Sequence, residues 1–166
     1  YRLVTGVQTC ALPISGKLKN CYGVWESGYT STEADPRGIE ADGNLDGIYP
    51  DHLRQSDFVV ENMTIVNNAA NTTDNVDRMQ DVIKIRRGAK ATITNALVKG
   101  SGGTIDLIDM NDNKGTGNAA SSISVTHTLN FKNKLNGTLN TFTEPTTNTG
   151  ADASLFTWTG YNISSL

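Results

Sequence analysis

The sequence predicts an all-β solenoid built from short parallel strands. Three observations point there: residues that favour strands and turns dominate, a strand–Asn–strand pattern recurs, and turns rich in Gly, Asn and Asp separate the repeats. The 166 residues include 17 Asn, 21 Thr and 16 Gly, a composition poor in strong helix formers. The length suits one domain.

The repeat is carried by four segments. They are Leu18-Lys19-Asn20-Cys21-Tyr22, Val60-Glu61-Asn62-Met63-Thr64-Ile65, Ile93-Thr94-Asn95-Ala96-Leu97-Val98 and Val125-Thr126-His127-Thr128-Leu129. Alternation before each Asn is that of a half-buried strand. Asn suits a bend because its short side chain bonds local backbone and tolerates the left-handed region. By position His127 stands in for Asn in the fourth repeat. Between these segments lie 38–42, 82–86 and 104–108, a second strand set. Turn-rich stretches at 43–47, 67–75, 100–103 and 111–118 punctuate the chain. Three short strands per coil, stacked in parallel, would bury each coil's inward side chains on its neighbours. An antiparallel sandwich also has many short strands, but the recurring Asn bend favours the solenoid. Residues 76–87 could instead open as a short helix, with Val76, Met79 and Val82-Ile83 on one face.

Lysine plus arginine number 14 against 17 Asp plus Glu, a net charge of −3. That balance argues against a nucleic-acid partner. No apolar run approaches the ~18 residues of a membrane span. There is no nucleophile elbow, phosphate loop or dinucleotide fingerprint.

Residues 1–15 are set apart from the fold as a non-native segment. Val4-Thr5-Gly6-Val7-Gln8-Thr9-Cys10-Ala11-Leu12-Pro13-Ile14 resembles the in-frame translation of a short-read sequencing adapter. A signal peptide is the alternative, but Thr5, Gly6, Gln8 and Thr9 interrupt its apolar core. The coils and a closing segment then occupy 16–166, with Cys21 the sole thiol. A solenoid truncated at its N-terminus is expected, with an open coil end prone to self-association.

Aligning the second strand set places Ile39, Ile83 and Ile105 in one inward column and Ala41, Ile85 and Leu107 in another. Glu40, Lys84 and Asp106 then stack outward, with Asp42 beside Arg86, at the ~4.8 Å spacing of adjacent strands. Such a ladder is either a solvated set of ion pairs or a polar groove for a polysaccharide. In the groove reading Glu40, Lys84 and Arg86 bind ligand, and Lys84, Arg86 or Asp106 would serve catalysis if the protein is an enzyme. Arg86-Arg87-Gly88 could clamp a sulfate or carboxylate. Trp25, Tyr22, Tyr29 and Tyr49 could form a sugar-stacking platform or belong to the core.

Asp42-Gly43-Asn44-Leu45-Asp46-Gly47 matches the first half of a calcium loop, making Asp42, Asn44 and Asp46 candidate ligands. The bidentate Glu such a loop needs is replaced by Leu53. Asp109-Met110-Asn111-Asp112-Asn113 is a weaker cluster, and Asx turns produce such strings without metal. No other cofactor is expected. His52 and His127 lack the spacing of a zinc pair.

The stretches Arg37-Gly38-Ile39-Glu40-Ala41-Asp42-Gly43-Asn44, Glu61-Asn62-Met63-Thr64, Ile85-Arg86-Arg87-Gly88-Ala89-Lys90-Ala91 and Leu155-Phe156-Thr157-Trp158-Thr159-Gly160-Tyr161 together carry a resemblance. The chain resembles the C-terminal coils of right-handed parallel β-helix surface proteins of the kind found in Bacteroidota. The resemblance implies a pectate-lyase-like fold and an exported protein at the extracellular or outer-membrane surface, either surface-attached or held by a lipid anchor in the missing N-terminal part. It implies no catalytic residue. A non-catalytic carbohydrate-binding or surface-interaction role is expected first, a polysaccharide lyase or hydrolase second, a passive scaffold third.

Overall fold

The structure, a computed structural model, describes residues 15–32, 34–43, 54–70 and 78–163. Two all-parallel sheets face each other across an apolar core. The first contains β1 (Ser15–Trp25), β3 (Asp57–Asn67), β5 (Lys90–Gly100), β7 (Ser122–His127) and β9 (Thr141–Thr143), in that order. The second contains β2 (Arg37–Asp42), β4 (Met79–Arg86), β6 (Thr104–Asp109) and β8 (Asn133–Asn136), also in order. Odd strands stack on odd and even on even, so each odd–even pair is one coil of a parallel β-helix. Met79–Arg86 is a strand, which rules out the helical alternative for that segment. Its two successive apolar residues, Val82 and Ile83, imitate a helical face.

The predicted Asn bends are present at three coils. Asn20, Asn62 and Asn95 have φ of 56°, 56° and 53°, the left-handed region that Asn tolerates best among residues with a Cβ. Each kinks a long strand into two shorter runs, which accounts for the expected three strands per coil. The side chains form a ladder. Asn62 Nδ2 donates to Asn20 Oδ1 at 3.0 Å, and Asn95 Nδ2 donates to Asn62 Oδ1 at 2.8 Å.

His127 does not extend this ladder. It pairs with Val98, not Asn95. Between Ile93↔Ile123 and Ala96↔Val125 the two residues Thr94 and Asn95 face the single Ser124, a bulge that leaves Asn95 without a counterpart. His127 instead stacks edge-on to Phe131 and places Nε2 2.7 Å from Glu144.

Core columns follow from the register. Val60, Ile93 and Ile123 align, as do Met63, Ala96 and Val125, and all are buried. Opposite them stand Ile39, Ile83, Ile108 and Leu135. A fully buried side chain of this size contributes roughly 1.5–3 kcal/mol. Leu18 heads the first column, aligned with Val60, yet is exposed because β1 is the outermost strand.

After β9 the chain reverses and runs back along the coils. Pro145 O accepts from Thr126 Oγ1 of β7, and the Asn148 side chain reaches Ala96 O and Ser124 Oγ, both at 3.2 Å. Thr149 N donates to Asn95 Oδ1 of β5 at 2.8 Å, and Ala151 N to Thr64 Oγ1 of β3 at 2.9 Å. A 3-10 helix, Ala153–Thr159, follows. Its Phe156 ring meets Tyr22 of β1 at 5.8 Å, and Tyr161 Oη donates to Glu26. This return segment touches four of the five strands of the first sheet, β7, β5, β3 and β1.

Candidate functional site

The outer face of the β2–β4–β6–β8 sheet carries the charged residues singled out above. Glu40 pairs with Lys84, and Asp42 with Arg86, as expected. The third coil differs. Ile83 aligns with Ile108 and Lys84 with Asp109, three residues beyond the expected Ile105 and Asp106. The sequence alignment assumed strict alternation. In fact Val82-Ile83 and Leu107-Ile108 are each two successive buried residues, so Asp81 and Lys84, like Asp106 and Asp109, approach one another at a spacing of three. Asp106 aligns with Asp81 instead.

Four cations of this face, Arg37, Lys84, Arg86 and Arg87, are held by carboxylates. Arg37 binds Asp35, Glu40 and Asp81 at 2.8, 3.2 and 3.0 Å. Lys84, only 6% exposed, pairs with Asp109 and lies 4.0 Å from Asp81. Arg86 binds Glu40, Asp42 and Asp112, and Arg87 binds Asp42 and Asp112. Burial works against the charge of Arg37, yet its Asp81 hydrogen bond and the neighbouring Glu40 and Asp35 raise its pKa. Arg86 is raised in the same way by Asp42 and Glu40. Burial pushes the Asp81 carboxyl above the usual carboxylate range even against Arg37 and Lys84. Burial also opposes ionisation of Asp112, but the Lys114 amide and Arg87 hold its pKa down.

Asp81, Asp106 and Asp109 bring carboxylate oxygens within 4.8 Å of one another. A calcium ion takes six to eight oxygen ligands, and these carboxylates do not fit that demand. Lys84 already supplies the positive charge, Arg37 holds Asp81, and Asp106 accepts from Asn133 Nδ2 at 2.7 Å and Asn136 Nδ2 at 3.3 Å. Of the calcium-loop candidates, Asp42 is bound by Arg86 and Arg87, while Asn44 and Asp46 lie outside the described residues. Within the weaker cluster, Asp109 accepts from Asn111 N and Asp112 from Lys114 N, which are Asx turns.

The aromatic candidates separate. Trp25 is 3% exposed; its ring belongs to the core and its Nε1 donates to Tyr29 O at 2.9 Å. Tyr22 is half-buried against Phe156. Tyr29 is exposed and packs edge-on to Trp25. Tyr49 and His52 lie outside the described residues, as do residues 1–14. A shallow cleft of about 360 Å³ opens where the return segment crosses the Asn ladder, lined by Asn62, Asn95, Thr149, Gly150, Ala151 and Asp152.

Comparison with known families decides the fold's kinship. Residues 14–162 match the model of the pectate-lyase-like β-helix domain. The chain belongs to the pectate-lyase-like β-helix family. Neither a curated protein nor a solved structure matches it. In this β-helix the matched stretch runs through every described element, return segment included.

Sequence reasoning missed three features of this β-helix site. A two-residue period does not bring Asp81 and Asp109 beside Lys84; the doubled apolar residues Val82-Ile83 and Leu107-Ile108 are the signal that does. The return of 144–163 along the coils has no periodic signature. Trp158 was read only as part of a closing segment, and it is 79% exposed.

Proposed function

We propose that this β-helix is a non-catalytic carbohydrate-binding module of an exported surface protein. The observation that carries this reading is the engagement of Arg37, Lys84, Arg86 and Arg87 by carboxylates. A general base must reach a substrate proton. Lys84 is buried and committed to Asp109 and Asp81, and Arg86 is committed to three carboxylates. The cations of this face are therefore engaged in a carboxylate-rich lattice rather than standing as free catalytic groups. Parallel coils supply a stiff, repeating surface suited to an extended polymer.

The test incubates the purified chain with a polysaccharide panel, with and without calcium, and records retention and release of unsaturated products. Retention without product is the expected result. Product would overturn the reading in favour of a lyase, for which the close approach of Asp81, Asp106 and Asp109 is the favouring observation. Neither retention nor product would leave a scaffold role.

A further inference from the structure

The return segment ends in an exposed aromatic surface. On a 3-10 helix, side chains three apart eclipse, so Leu155 and Trp158 share one face of Ala153–Thr159. Both are exposed, as is Tyr161 just beyond. The exposure is not that of a loose tail. Asp152 caps the helix by accepting from Ser154 N at 2.9 Å, and Gly160 closes it in the left-handed region with φ 69°. Phe156 is seated on Tyr22, Tyr161 Oη is tied to Glu26, and Ile163 is buried. The Glu26 hydrogen bond raises the Tyr161 pKa to about 12, so the phenol stays neutral. The Trp158 ring is thus presented on a clamped platform, which lowers the ordering cost of binding.

The surroundings select a ligand class. Residues 144–163 contain no Lys, Arg or His, and the charged groups bonded to the platform among the described residues are Glu26 and Asp152. An anionic polymer or lipid surface would meet no counter-charge from the return segment itself. Ser154, Thr157 and Thr159 of the same helix are also exposed, and Thr159 Oγ1 ties the helix end by donating to Phe156 O and accepting from Tyr161 N. The apolar face of Leu155, Trp158 and Tyr161 offers on the order of 400 Å², about half of the ~800 Å² per partner that a stable protein interface needs. An exposed indole face on a fixed backbone fits the C–H face of a pyranose ring. We infer that Trp158, flanked by Leu155 and Tyr161, is the stacking site for an uncharged polysaccharide. This inference rests on the carbohydrate-binding reading and moves the contact from the charged sheet face to the return segment.

The chain has two tryptophans, and Trp25 is buried, so solvent-sensitive emission reports on Trp158. The full chain is titrated with xylan, cello-oligosaccharides, galactomannan and polygalacturonate, with retention read in affinity gels and emission read in parallel. A neutral probe is expected to retard the protein, shift emission to the blue and protect it from acrylamide. Trp158→Ala should weaken retention roughly tenfold or more at an unchanged Tm, and Trp158→Phe should restore part of it. Equal retention of Trp158→Ala and wild type would overturn this site while leaving the carbohydrate-binding reading standing. Retention by no polysaccharide would overturn both. Retention by polygalacturonate alone would overturn the neutral class. A blue shift that grows with protein concentration without sugar would assign the surface to a second copy and overturn the inference.

Discussion

Asn62 holds two jobs at once. It sits at φ 56° and joins Asn20 to Asn95 by two side-chain hydrogen bonds. Replacing it by Ala removes both bonds and leaves a Cβ in the left-handed region. The expected loss is about 2–4 kcal/mol in chemical denaturation. Asn62→Gly should lose less, because it keeps the backbone freedom and forfeits only the ladder. Lys84 is the other informative residue. Asp81 has a folded pKa above its unfolded value, so its contribution to stability is present at low pH and is lost as pH rises through that raised folded pKa. Lys84 opposes that loss. Lys84→Met leaves Asp81, Asp106 and Asp109 clustered without it and should destabilise by about 3–5 kcal/mol at pH 7. The deficit should shrink as the pH is lowered and Asp81 takes up a proton. Urea titrations at pH 7 and pH 4 measure this; a deficit that does not change with pH would refute the account.

Among the elements, the return segment depends on close approach at one glycine. Gly150 has φ 72°, and a Cβ there would collide with Thr64 Oγ1 and crowd Leu97 Cβ and Met63 O. Gly160 has a similar φ of 69° but open space around it. Both Gly→Ala variants carry the left-handed cost of about 1–2 kcal/mol, and only Gly150→Ala adds a collision. Hydrogen exchange should therefore show lost protection across 144–163 in Gly150→Ala, with the sheets intact, and a smaller change in Gly160→Ala. The two element types also differ in how well they could be read. Strands from β1 to β7 were legible because alternation and the Asn bends are local signals. The third-coil register was not, since it turns on two adjacent inward residues, Leu107 and Ile108. The path of 144–163 was not either, because polar Thr and Asn contacts to distant coils leave no period in the chain. Trp25 was ambiguous in sequence, where core and ligand-facing aromatics look alike, and only the stacking of β1 on β3 settles it as core.

For the whole molecule, β1 is an outer strand of the first sheet among the described residues. It presents Leu18 to solvent between Lys17 and Lys19, and an edge strand with an exposed apolar residue is a site for pairing with another chain. Concentration-dependent association is expected by light scattering, and Leu18→Lys should suppress it with little change in Tm; a monodisperse wild type at high concentration would refute it. Acid should weaken the fold at Asp112 and Glu144. Burial opposes the charge of Asp112, but the Lys114 amide and Arg87 depress its pKa, and Lys134 depresses that of Glu144, so their contributions are lost as pH falls through those depressed values.

The same back-running segment sets an order of events in folding. Tyr161 meets Glu26 across 135 positions of chain, and its contacts to β7, β5, β3 and β1 exist only once those strands are stacked. Coils can zip together through neighbour contacts alone, but this closure has the highest sequence separation and so the largest loop entropy to overcome. It is formed late and, by reversal, released early. Interactions absent from the transition state govern the unfolding rate rather than the folding rate. The segment thus acts as a latch on the lifetime of the stacked coils, and substitutions within it should lengthen or shorten that lifetime while leaving the speed of assembly nearly untouched.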